Sequence, residues 1–80
     1  MSGAFKNLNQ LLIHFGVDDV RYLGLAITDQ LDIAGMVWIR KSKVNATSIT
    51  LNIGLRSVEL MYPFTVDDIR RGLEPIARNQ

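Results

Sequence analysis

The apolar positions of this chain change period twice. Up to Gly35 they recur at helical spacing, from Met36 to Pro63 they alternate, and from Thr65 onward the helical spacing returns. This layout predicts one α+β domain: two N-terminal helices, a three-stranded antiparallel meander and a C-terminal helix. In the first segment Ala4, Phe5, Leu8, Leu11, Leu12 and Phe15 share about 120° of arc at 100° per residue. Gly16 follows as the left-handed residue that commonly stops a helix.

Residues 18–34 carry two signals. Val20, Leu23, Ile27, Leu31 and Ala34 fall on one side of a helix, with Arg21, Thr28, Asp29 and Asp32 opposite. Asp18 is placed to accept from first-turn amides, Asp19 suits the positive end of the helix dipole, and Gly35 sits where a stop belongs. Against this, Val20 to Thr28 is rich in β-formers, and Gly24 weakens a helix by ~1 kcal/mol. Helix is the expected form, with strand as the alternative over 20–28.

Alternation in the middle predicts three strands. Val37 and Ile39 face one way, and Met36, Trp38 and Arg40 the other. Ile49, Leu51 and Ile53 alternate with Ser48, Thr50 and Asn52, and Val58, Leu60 and Tyr62 with Ser57, Glu59 and Met61. The short link around Gly54-Leu55-Arg56 forces a hairpin, whereas Lys41 to Thr47 is longer and polar. The last helix opens on Thr65-Val66-Asp67-Asp68, a capping box with Asp in place of Glu, and Phe64 and Ile69 have staple spacing. Val66, Ile69, Leu73, Ile76 and Ala77 form its buried stripe, and Pro75 predicts a kink or a break.

Three strands make a sheet about 14 Å wide, too narrow for three helices of ~10 Å side by side. Either a helix covers the second face, or one sits in an outer layer, or the sheet continues into another subunit.

Eighty residues bound the chain to a single domain with a small core. Cysteine is absent, which removes disulfides and thiolate chemistry. The opening Met1-Ser2-Gly3-Ala4-Phe5-Lys6 does not read as a signal peptide, and no apolar run approaches a membrane span. A cytoplasmic protein is expected. The net charge of +1 is unevenly spread: residues 1–35 carry −2, residues 36–63 carry +3, and the tail is neutral.

Few residues carry candidate chemistry. His14, the single histidine, lies on the polar arc of the first helix and reads as a solvated side chain. The carboxylate pairs Asp18-Asp19 and Asp67-Asp68 sit at predicted helix starts, where capping explains them better than metal binding. Asp67 with Arg71 and Glu74 with Arg78 have i,i+4 salt-bridge spacing, which leaves Arg70 over. No catalytic residue, metal site or cofactor is implied, and the chain does not read as an enzyme.

Two surfaces remain. Arg40, Lys41 and Lys43, with Arg56, form a basic strand-and-loop set that could track phosphates. The order helix, three strands, helix resembles double-stranded-RNA-binding domains, which use such a loop against the minor groove. That resemblance is one of topology. Those domains open their final helix with lysines, and here Asp67 and Asp68 stand there and repel phosphate. The second surface is Met36, Trp38 and Met61, on the sheet face opposite the core. There Trp38 and Met61 are expected to flank Thr50 about 10 Å apart. Tryptophan is enriched at binding hot spots and methionine adapts to varied partners. The expected function is therefore a non-enzymatic protein–protein interaction module, a regulator, inhibitor or adaptor acting as a homodimer. Nucleic-acid binding through the basic set is the alternative.

Overall fold

A computed structural model describes residues 3–40 and 46–78, without the side chain of Arg78. Its elements are α1 (Leu8–Phe15), α2 (Val20–Gln30), β1 (Val37–Ile39), β2 (Ser48–Ile53), β3 (Arg56–Met61) and α3 (Val66–Arg78). The strands form one antiparallel sheet in the order β1-β2-β3, so the α+β layout read from the sequence is the observed one.

The helix boundaries follow their caps. Asn7 accepts from the amide of Gln10 at 3.0 Å, and Gln10 Oε1 accepts from the amide of Lys6 at 2.8 Å. The first helix therefore begins at Leu8, and Ala4 and Phe5 are outside it. Phe5 is buried by a different route: its backbone pairs with Phe64 through bonds of 2.7 and 3.2 Å. Gly16, at φ 73°, stops α1 as expected.

Residues 20–30 are helical. Asp19, rather than Asp18, is the N-cap and accepts from the amide of Arg21 at 2.9 Å. The stop is Asp32 rather than Gly35. Asp32 takes φ 53°, its amide reaches back to Asp29 and that of Ile33 to Thr28, the paired bonds of a Schellman end. Aspartate is one of the few residues other than glycine that tolerates this conformation.

The glycine that argued against α2 is what lets it pack. A Cβ on Gly24 would lie 2.1 Å from the carbonyl oxygen of Val37, so only glycine allows the helix onto the backbone of β1. At the third helix, Thr65 Oγ1 accepts from the amide of Asp68 at 3.2 Å, and Asp68 accepts from the amide of Thr65 at 2.8 Å. The capping box forms with Asp in the return position. α3 continues unbroken through Pro75, which lies on its exposed side, so the expected break does not occur.

Burial follows the strand alternation. Val37, Ile49, Leu51 and Ile53 join Leu23, Ile27, Ile69 and Leu73 in one core. α2 lies along β1, α3 crosses β2 and β3, and α1 packs on α2 away from the sheet. This is the outer-layer solution to the narrow sheet. Among the described residues, no helix covers the face that carries Trp38 and Met61.

Candidate functional site

The sheet register separates residues that the sequence grouped. Trp38 stands opposite Asn52, and Met61 stands opposite Ser48. Two strands across and four residues along place their backbones about 17 Å apart, not 10 Å, and they do not flank Thr50. The two residues are displaced in opposite directions from Thr50, Trp38 by two positions toward the Gly54 turn and Met61 by two positions away from it. Gly54-Leu55 is a two-residue connection with Gly54 at φ 58°, and it fixes Ile53 opposite Arg56.

Met36 and Trp38 do come together. With Leu25, Val20 and Ile39 they line a groove of about 290 Å³ between α2 and β1, rimmed by Arg21. Leu25 is 51% exposed, Met36 42% and Trp38 64%. Leu25 lies off the apolar stripe of its helix. An apolar residue off the stripe was itself the signal. Met61, 59% exposed, lies at the far corner of the sheet, away from the groove.

The wall of this groove is well fixed. Thr28 Oγ1 accepts from the amide of Val37 at 2.9 Å and donates to the carbonyl of Gly24 at 2.8 Å. Nearby, the guanidinium of Arg21 lies 5.6 Å from the centre of the Tyr22 ring and 3.3 Å from Asp19. The groove thus has an apolar floor, an exposed tryptophan and one cation at its rim. Such a surface can take an apolar side chain; it offers no nucleophile or general base.

The basic set does not converge. Lys41 and Lys43 lie outside the described residues. Arg40 donates its amide to Thr50, which puts it in one row with Thr50 and Glu59 on the open face. Arg56 lies at the opposite end of the sheet and, by alternation with Val58 and Leu60, points to the other side. A carboxylate therefore shares the row of Arg40, while Arg56 is turned away from it.

Asp68, Arg71 and Arg70 serve the helices. Arg71 pairs with Asp68 at 2.6 Å, one turn position nearer than the Asp67 expected. The Thr65 amide, followed by Arg71, holds the Asp68 carboxyl below the usual carboxylate range. Arg70 donates to the carbonyl of Leu31 at 3.2 Å and so ties α3 to the end of α2. The predicted Glu74–Arg78 pair involves a side chain outside those described. His14 is exposed and meets the edges of Phe5 and Phe15, with ring centres 5.1 and 4.9 Å away. Burial pushes the Tyr62 hydroxyl up from its ordinary pKa, beside the stacked Phe64 ring at 5.0 Å.

No helix is long and apolar enough to cross a membrane among the described residues. Comparison of the chain with protein-family models, with curated proteins and with solved structures finds no match.

Proposed function

We propose that this protein is a small non-enzymatic interaction module of the cytoplasm, a regulator, inhibitor or adaptor that docks a protein partner and acts as a homodimer. The observation that carries this reading is the exposed cluster of Leu25, Met36 and Trp38 around one groove. Large apolar side chains scattered singly need no explanation, but a cluster containing tryptophan has the composition of a binding hot spot. One carboxylate of each acidic pair, Asp19 and Asp68, is engaged in holding a helix start. The opposed placement of Arg40 and Arg56 favours a protein partner over nucleic acid.

The test is co-purification from the native cell with the wild-type protein and with Trp38→Ser, under nuclease treatment. A partner bound through the groove should be retained by the first and lost by the second. Removing a hot-spot tryptophan costs about 2 kcal/mol or more, roughly a thirtyfold loss of affinity. Because Trp38 is largely exposed, circular dichroism should show Trp38→Ser folded. Tight binding to duplex RNA or DNA at ~150 mM salt, abolished by Arg40→Glu, would replace this reading with the nucleic-acid one.

A further inference from the structure

The two edges of the sheet are treated differently. At β1 the outward amide of Val37 is taken by Thr28, and α2 lies against its carbonyl at Gly24. Among the described residues β3 has no such cover. Its pairing with β2 runs without a bulge from Arg56 to Met61, and the bond from the Tyr62 amide to Thr47 sets the phase. Arg56, Val58 and Leu60 therefore spend their backbone groups on β2, while those of Ser57, Glu59 and Met61 point away from the sheet. Among the described residues nothing bonds to the backbone groups of those three, although the Glu59 carboxylate accepts from Ser48 Oγ at 2.7 Å. The strand holds neither proline nor lysine, the usual guards of an open edge.

We propose that β3 is the homodimer interface and that its occupant is β3 of a second copy, antiparallel across a two-fold axis. This rests on the interaction reading above and assigns the dimer contact to a place separate from the groove. A row of outward amides and carbonyls at every second residue is complementary to itself when reversed, so a second copy supplies the missing partners. α2 engages the outward groups of Val37 on the β1 edge, which leaves β3 the more open edge, and each β3 takes one partner strand. The two-fold pairing gives a dimer with a continuous sheet of twice the width. A net charge of +1 per chain opposes this association only weakly.

Charge selects the register. An axis through Glu59 would set two carboxylates face to face, which is unfavourable. An axis through Val58 sets Ser57 opposite Glu59 of the second copy, where its hydroxyl can donate. It also sets the half-buried Val58 of each copy opposite its counterpart on the core side, beside Gly72 of α3, with Leu60 opposite Arg56 of the second copy.

The test uses proline at an outward position. Glu59→Pro removes an N–H that the monomer does not use, so the three-stranded sheet keeps its ladder while the edge loses a donor. Sedimentation of the full chain should show a wild-type dimer at micromolar concentration that dissociates on dilution, a monomeric Glu59→Pro, and a dimeric Trp38→Ser. Residue-resolved hydrogen exchange of the wild type checks the same contact without substitution. The amides of Ser57, Glu59 and Met61 should become protected as concentration rises. A wild type that stays monomeric, or amides whose exchange ignores concentration, overturns the inference. A dimer lost in Trp38→Ser and kept in Glu59→Pro overturns it as well, and moves self-association to the groove while leaving the interaction reading intact. Partner capture unaffected by Trp38→Ser would sink that reading and leave the β3 dimer standing.

Discussion

The hydroxyl of Thr28 holds the amide of Val37, 2.9 Å away, and thereby joins a helix to the edge of a sheet through a single side chain. The same hydroxyl donates back to the carbonyl of Gly24 one turn earlier, so its donor and its acceptor capacity are both used. Thr28→Val keeps the shape and removes both bonds. It leaves the amide of a residue that is 1% exposed without a partner, and the expected loss is ~1–3 kcal/mol of unfolding free energy. Urea titration reads this as a lower midpoint with an unchanged slope.

Gly24→Ala sets two effects of opposite sign against each other. Alanine favours a helix by ~1 kcal/mol over glycine. Its methyl group, however, meets a carbonyl oxygen of the main chain, which cannot swing aside like the end of a flexible side chain. The clash should win, with a net loss of roughly 1–3 kcal/mol. A more stable Gly24→Ala protein would mean that α2 does not sit on β1.

Leu51 lies on the central strand and faces the core, 1% exposed. Leu51→Ala should cost roughly 2–5 kcal/mol. Thr50→Ala, one position along and on the open face, should change stability far less. A cost at Leu51 no larger than that of a surface change would show that the register is slipped by one residue.

The capping box gives a signed pH dependence. The folded state holds Asp68 ionised more strongly than the unfolded chain does, through the Thr65 amide and then Arg71. Its stabilising contribution is therefore complete above the unfolded carboxyl value of about 4 and fades as pH falls through the lower folded value. Asp68→Asn should flatten the acid limb of the stability curve. Thr65→Ala should cost ~1 kcal/mol at neutral pH.

The sequence was legible where a regular period met a turn or cap of known chemistry. The alternation over Ser48–Ile53 and the Gly54-Leu55 turn set the β2–β3 register, and Thr65 with Asp68 set the start of α3. It was less legible where tertiary contact overrode local preference. Phe5 has the spacing of a helical residue, yet Asn7 caps below it and Phe64 claims its backbone. Gly24 looked like a helix breaker because the reason for it lies in Val37, on another element. The groove shared this difficulty. Met36 and Trp38 were visible from alternation, whereas Leu25 joins them only once α2 is laid along β1, and Met61 leaves them once β3 takes its register.

The bridge between Phe5 and Phe64 also shapes how the fold is reached. It ties together positions 59 residues apart in a chain of 80, and the loop it closes contains both N-terminal helices and the entire sheet. Closing so long a loop is entropically costly until the elements inside it have condensed. The N-terminal segment should therefore dock late, after the meander and α3 have formed a surface for it. Phe5→Ala would then speed unfolding while leaving the folding rate nearly unchanged.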